Sequence, residues 1–129
     1  MSFVYLELRD LILFGNAILG HDAEVRDFGL LESALARPRA TVFGDDAYPD
    51  LDEKVAALLL SIVGNHALVD GNKRLGWVSA LVFYELNGYL VEAPHDEAID
   101  LVLAVASGAI DDVTVVAEAL RAWRRPTSD

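Results

Sequence analysis

The sequence contains no cysteine. Disulfide bridges, thiolate nucleophiles and cysteine-ligated zinc are therefore excluded, and the absence is consistent with a reducing compartment. Basic residues are scarce. Lys and Arg number 10 against 21 Asp and Glu, a formal net charge of −11. Proteins that grip nucleic acid gain affinity by neutralising phosphates with Lys and Arg, and docking on an anionic membrane surface uses the same side chains. Direct contact with nucleic acid or with a membrane is disfavoured on both counts. Long apolar runs are missing as well. The longest stretch without a formal charge, Val55 to Val69, contains Asn65 and His66 and is shorter than the roughly 20 residues of a spanning helix. The first residues, Met1-Ser2-Phe3-Val4-Tyr5-Leu6-Glu7, place no basic cluster before an apolar stretch and do not read as a signal peptide. The expectation is a cytoplasmic protein.

What is present is apolar content. Hydrophobic residues make up 53% of the 129 residues, far too many for a disordered chain. A chain of this length buries roughly two-thirds of its unfolded surface on folding, so residues 1–129 are expected to form a single domain with an ordinary core. No internal repeat and no low-complexity segment stands out.

Helical periodicity dominates that apolar content. Leu6, Leu8, Leu11, Ile12, Phe14, Ile18 and Leu19 recur at three- and four-residue steps with Gly20 as a C-cap. A short helix fits Leu30 to Ala36. Pro38 to Pro49 reads as a loop, with an extended arm at Ala40 to Phe43. Asp50, three residues before Glu53, signals a helix start, and the helix that follows, near Leu51 to Leu68, is apolar around most of its circumference. Such a helix belongs at the centre of a bundle. Asp70-Gly71-Asn72 interrupts the pattern, and the next helix runs from about Asn72 to Leu86, ending at Asn87-Gly88. Two amphipathic helices follow, about His95 to Ser107 and Val113 to Arg124, then a tail, Arg125 to Asp129, expected to fray. Phe3 to Tyr5 is the one weak strand signal. The expected fold class is all-α, a compact bundle of five to six helices around a buried central one.

The chemistry concentrates in His66-Ala67-Leu68-Val69-Asp70-Gly71-Asn72-Lys73-Arg74. Polar groups placed between the two most apolar helices are costly to bury without a purpose. A helix starting at Asn72 presents backbone N–H groups without intrahelical partners and the positive end of its dipole. Gly71 lets a ligand approach the main chain, and Lys73 and Arg74 add positive charge in the same turn. The set makes an anion site suited to phosphates. Asp70 beside it becomes useful when a divalent ion, Mg²⁺ above all, bridges it to phosphate oxygens. A neutral imidazole at His66 is suited to taking a proton from an attacking hydroxyl. The residues thus suggest phosphoryl or nucleotidyl transfer. They admit a plainer account equally well: a core histidine, an N-capping Asp70 and a solvated Lys73-Arg74 turn.

The same stretch resembles the signature of the Fic/Doc family, His-x-Phe-x-Asp-(Ala/Gly)-Asn-(Gly/Lys)-Arg, and within it the Doc branch of death-on-curing toxins. Val25 to Ala34, Tyr48-Pro49-Asp50-Leu51 and Phe83-Tyr84-Glu85-Leu86-Asn87-Gly88-Tyr89 are similar to Doc segments too, so the resemblance covers roughly Tyr5 to Trp123. It implies a helical fold with the motif between two central helices. It implies His66 as general base, Asp70 as Mg²⁺ ligand, and Gly71, Asn72, Lys73 and Arg74 as holders of the phosphates of ATP. Fic proteins typically transfer an adenylyl group to a protein hydroxyl. The Doc branch transfers a phosphate, its known type of target being a threonine of elongation factor Tu, and so stops protein synthesis. A neutralising antitoxin is implied, with a Phd-like C-terminal segment that folds as a helix into a groove on the toxin.

Three departures matter. Lys73 stands where Fic enzymes have a second glycine, and Trp77 where they carry a second arginine. Both match Doc and favour transfer of the γ-phosphate over adenylylation. Leu68 replaces the usual phenylalanine, a swap that keeps apolar character and often costs under about 1.5 kcal/mol where the core repacks. Gly71 in place of the alanine of some Doc proteins is expected to be harmless. An inactive Fic-like binding module is the remaining alternative to the two enzymes. In the family a flap lies beside the active site, and here it corresponds to Arg37 to Asp50. Asp45, Asp46, Asp50, Asp52 and Glu53 make that region acidic, which would suit a basic target segment. His21 and His95 receive no role, and Trp77 and Trp123 read as core or interface residues.

Overall fold

The computed structural model describes residues 2–127. Six helices occur among them: α1 (Leu8–Leu19), α2 (Phe28–Ala36), α3 (Leu51–Asn65), α4 (Asn72–Leu86), α5 (His95–Ser107) and α6 (Val113–Trp123). A 3₁₀ turn, Arg37–Arg39, follows α2, and two small antiparallel pairs complete the fold, β1 (Thr41–Val42) with β2 (Asp45–Asp46) and β3 (Tyr89–Val91) with β4 (Arg124–Pro126).

The all-α expectation holds, and α3 is the central helix. From Leu51 to Val63 only Glu53 is not buried, and α2, α4, α5 and α6 all pack on it. Fully burying a Leu, Ile or Val side chain is worth about 1.5–3 kcal/mol, and Val55, Leu59 and Val63 on this one helix are wholly removed from water. Three helix starts are capped by aspartates. Asp27 accepts from Gly29 and Leu30, Asp50 from Glu53 and Asp112 from Thr114, each typically worth about 1 kcal/mol.

Helix α4 packs tightly on α3 at Gly76. A Cβ there would lie 2.5 Å from Val63 Cγ2 and 3.2 Å from Leu59 Cδ1. Val63 is fully buried and β-branched, so it cannot turn aside. Gly76→Ala is therefore expected to destabilise the protein by about 1–3 kcal/mol through overpacking, outweighing the roughly 1 kcal/mol gained in helix propensity. A thermal melt that shows no fall in Tm would contradict this.

The chain ends differ from the sequence expectation. Phe3 to Tyr5 forms no strand. Asn87 holds this segment instead, its amide donating to Val4 O and accepting from Val4 N–H, both at 2.8 Å. The tail does not fray at Arg125 and Pro126. It pairs as β4 with β3, Leu90 opposite Arg125, and Arg125 forms an ion pair with Glu92. Ser128 and Asp129, also assigned to the tail, lie outside the described residues. Helix α3 ends at Asn65, not near Leu68, because His66 turns the chain out of the helix. The extended arm at Ala40 to Phe43 is half of a hairpin, with Thr41 opposite Asp46 and Val42 opposite Asp45.

The acidic region also proves different from its composition. Asp52 is 3% exposed. It accepts from Tyr84 Oη at 2.6 Å, Arg124 Nε at 2.7 Å and Arg121 Nε at 3.0 Å. Asp50 pairs with Arg121 at 3.4 Å. Asp46 pairs at 3.2 Å with Lys54, a fully buried lysine that also donates to Pro38 O at 3.1 Å. The molecule's own cations compensate these carboxylates. Asp52 is buried and has to be paired, whereas Asp45, Asp46 and Asp50 remain exposed, so acidic surface persists here beside its internal ion pairs.

Candidate active site

The motif loop leaves α3 through a backbone conformation that few side chains favour. His66 has φ 53° and ψ 45°, in the left-handed region, and its side chain is exposed. Such a conformation costs free energy and persists when surrounding contacts fix it. Here the fixing contacts come from residues 24 to 27. Arg26 N–H and Asp27 N–H donate to Ala67 O at 2.7 and 3.2 Å, Val69 N–H donates to Glu24 O at 3.0 Å, and Val25 bridges Leu68. Sequence reasoning gave this segment no role, since nothing in its residue types signals a backbone partner forty positions away.

Leu68 anchors the loop from within. It is 2% exposed and reaches α1 at Gly15, where a Cβ would lie in ordinary contact, 3.7 Å from Leu68 Cδ1. Asn72 closes the loop. Its carboxamide accepts from Leu68 N–H and donates to Leu68 O, both at 2.9 Å. The Asn72 side chain is thereby committed to the loop, and its backbone N–H is what remains for a ligand.

Helix α4 opens without a side-chain cap. Its first helical bond runs from Leu75 N–H to Gly71 O at 2.8 Å, so the N–H groups of Asn72, Lys73 and Arg74 have no carbonyl within the helix to bond. Gly71 itself sits at φ 91°, a conformation that any L side chain resists, and an added Cβ would meet Leu19 at 3.4 Å. Glycine is thus the residue the turn favours, a stronger statement than the harmless replacement expected from sequence.

These residues meet at one place. His66, Asp70, Gly71, Asn72, Lys73 and Arg74 all line a cavity of 250 Å³, whose lining Val63, Val69 and Ala106 complete. Asp70, Lys73 and Arg74 are exposed, and no ion pair involves them among the described residues. Their charges are available to a ligand. No group of three or more His, Asp or Glu that could hold a metal by itself occurs among the described residues. Asp70 as a lone carboxylate beside an anion cradle nevertheless fits Mg²⁺, which is commonly held by one or two carboxylates together with substrate phosphates and water.

The hairpin lies elsewhere along α3. Lys54 fixes β2, twelve residues or about 18 Å of helix from His66. Arg37 ties the start of the loop to Tyr48 at 3.2 Å and to Ser61 at 3.2 Å. Among the described residues no part of the hairpin lines the cavity. A second concavity does adjoin it. Lys73 and Arg74 also line a groove of 490 Å³ between α1, α4 and α5, to which Trp77 and His95 belong. Trp77 stands edge-on against Trp123 at 6.4 Å. No helix among the described residues is long and apolar enough to cross a membrane.

Comparison with known proteins places most of the chain beside two relatives and one family. A family model described as the Fic/DOC family matches residues 5–84. The chain is 47% identical over 116 residues to a protein of Mycolicibacterium smegmatis named Toxin Doc, covering 88% of this chain and 89% of that protein. It is 34% identical over 111 residues to a protein of Escherichia phage P1 named Protein kinase doc, covering 78% of this chain and 85% of the phage protein.

Proposed function

This chain belongs to the Fic/Doc family, and from that premise we propose that it is a Doc-type toxin. In this reading it transfers the γ-phosphate of ATP to a hydroxyl of a translation factor, a threonine of the elongation factor Tu type, and arrests protein synthesis in the cytoplasm. A cognate antitoxin neutralises it through a Phd-like C-terminal segment that folds as a helix on the toxin.

The observation that carries the reading is the convergence of His66, Asp70 and the uncapped first turn of α4 on one cavity. The backbone N–H groups of Asn72, Lys73 and Arg74 hold the phosphate oxygens, and Arg74 adds a charge that strengthens as negative charge develops. His66 takes the proton of the incoming hydroxyl. As that oxygen bonds to the γ-phosphorus, the bond between the γ-phosphorus and the bridging oxygen breaks and ADP leaves. Asp70 would hold Mg²⁺, which when bound supplies neutralisation of the phosphate charge. Lys73 fills the space that a glycine would leave open, and Trp77 replaces the arginine an adenylylating orientation uses. Both support transfer of the terminal phosphate.

Incubation of the purified protein with elongation factor Tu and ATP labelled at either the α or the γ phosphorus tests this. Label is expected on the protein substrate from the γ position alone. Label from the α position alone would make the chain an adenylyltransferase. No label from either, together with normal growth on induction, would make it a binding module.

A further inference from the structure

The residues on either side of His66 are both bonded to the start of α2. Before it, Asn65 Nδ2 donates to Leu30 O at 3.4 Å. After it, Ala67 O accepts from Asp27 N–H at 3.2 Å and from Arg26 N–H at 2.7 Å. Among the described residues no part of α2 lines the cavity, so these contacts cannot touch a ligand held there. Asp27 aims its N–H because its carboxylate is held. It is the N-cap of α2, in extended backbone at φ −153° and ψ 106°. Its Oδ1 accepts from Gly29 N–H at 2.8 Å and from Leu30 N–H at 3.3 Å. Gly29 leaves space for that oxygen, since an added Cβ would lie 3.0 Å from it. One side chain thus starts α2 and orients a donor that grips the motif loop.

The grip opposes a local preference. The apolar pattern of α3 runs past Asn65 into Ala67 and Leu68, so continued helix is the conformation that residues 66–68 would adopt by pattern. His66 instead turns to φ 53°. Helix and left-handed turn send the side chain in different directions, because the direction at each residue follows the backbone dihedrals. Ala67 is 2% exposed, and a carbonyl there that lost both donors would be left unpaired away from water. The bonds to α2 therefore select the turn, and with it the direction in which the imidazole leaves the backbone.

We propose that Asp27 and Asn65 are positioning residues for His66: acting through the first turn of α2, they fix the backbone on both sides of the imidazole and hold it at the cavity. The consequence for catalysis rests on the phosphotransferase reading above, while the placement of the ring does not.

NMR of the histidine rings in the full chain tests the placement without any chemistry. Asp27→Ala and Asn65→Ala are each expected to shift and broaden the His66 ring signals, with those of His95, at the start of α5, unmoved as the internal reference. Asp27→Asn keeps an N-cap of equal rank and should restore the wild-type signals. Asn65→Ala leaves the α2 cap intact, so it serves even where Asp27→Ala melts at the working temperature. Kinetics with γ-labelled ATP and elongation factor Tu supply the second readout. Asp27→Ala is expected to lower kcat about tenfold, within the roughly 10²-fold that a displacement of about 1 Å can cost. KM for ATP should change by less than about twofold, because Asp27 touches none of the α4 N–H groups assigned to the phosphates. Asn65→Ala should show the same split through a weaker, longer bond, and Asp27→Asn should recover kcat. A role in stability only would lower Tm and leave the His66 signals and kcat unmoved below the melt. His66 signals identical in wild type and both alanine variants would overturn the proposal, and so would displaced signals beside an unchanged kcat. Wild-type protein that transfers no label while its His66 signals respond to Asp27→Ala would overturn the phosphotransferase reading and uphold the placement.

Discussion

His66→Ala is expected to lower phosphoryl transfer by about 10²–10⁴, the usual value of a positioned general base, and to abolish growth arrest on induction. The imidazole lines the cavity, is the side-chain type most often used as a general base, and is exposed to an incoming hydroxyl. The fold should survive, because the loop is held by backbone bonds from residues 24 to 27 and by Asn72, none of which uses the imidazole. One control is required by the backbone. At φ 53° alanine is less comfortable than histidine, whereas asparagine is among the residues best tolerated there. His66→Asn should therefore match His66→Ala in lost activity while keeping the wild-type melting curve. A His66→Asn protein that transfers phosphate at the wild-type rate would remove the base from the mechanism.

Asp52→Ala should be the most damaging substitution for stability outside the apolar core. The carboxylate joins the start of α3 to Tyr84 of α4, Arg121 of α6 and Arg124 of β4. Its loss leaves the Tyr84 hydroxyl, wholly buried, without a partner, and unties the C-terminal elements from the central helix. A cost of about 3 kcal/mol is expected, at the upper end for orphaning a buried polar group. Urea midpoints at pH 7 for wild type and variant measure it. Equal midpoints would show that the network contributes nothing.

Acid should reveal the same group. Burial by itself would raise the Asp52 pKa. Hydrogen bonds from Arg124, Tyr84 and Arg121 outweigh that and hold it below the usual carboxylate value. Burial and the bond to Asp52 push the Tyr84 hydroxyl well above its ordinary pKa, so it remains a donor. The folded pKa of Asp52 is lower than the unfolded one. Its contribution is therefore fully present above the unfolded value of about 3.9 and is lost as pH falls through the folded value. The stability gap between wild type and Asp52→Ala should be constant near neutrality and should narrow below about pH 4.

How much of this was legible follows from the range of each interaction. Local signals were read well. The apolar run after Asp50 placed α3 at the centre, and Asn72 to Leu86 and His95 to Ser107 match α4 and α5. The spacing from His66 to Arg74 brought six candidate residues together, because one turn and one helix start suffice to converge them. Long-range pairings left no such trace. Asp52 looked like one more surface acid, since its partners at 84, 121 and 124 lie far along the chain. Arg125 and Pro126 looked like a loose end because β3 lies more than thirty residues earlier.

The sequence by itself determined the helical architecture, the buried central helix and which residues line the cavity, since each is written in neighbouring residues whose periodicity and spacing act locally. Tertiary structure alone decided which charges are free to act. It paired Asp46, Asp50 and Asp52 internally, spent the Asn72 side chain on its own loop, and left Asp70, Lys73 and Arg74 without an ion-pair partner among the described residues. The physical reason is that a charge's availability depends on what the folded chain brings within a few ångströms of it, and no local pattern records that.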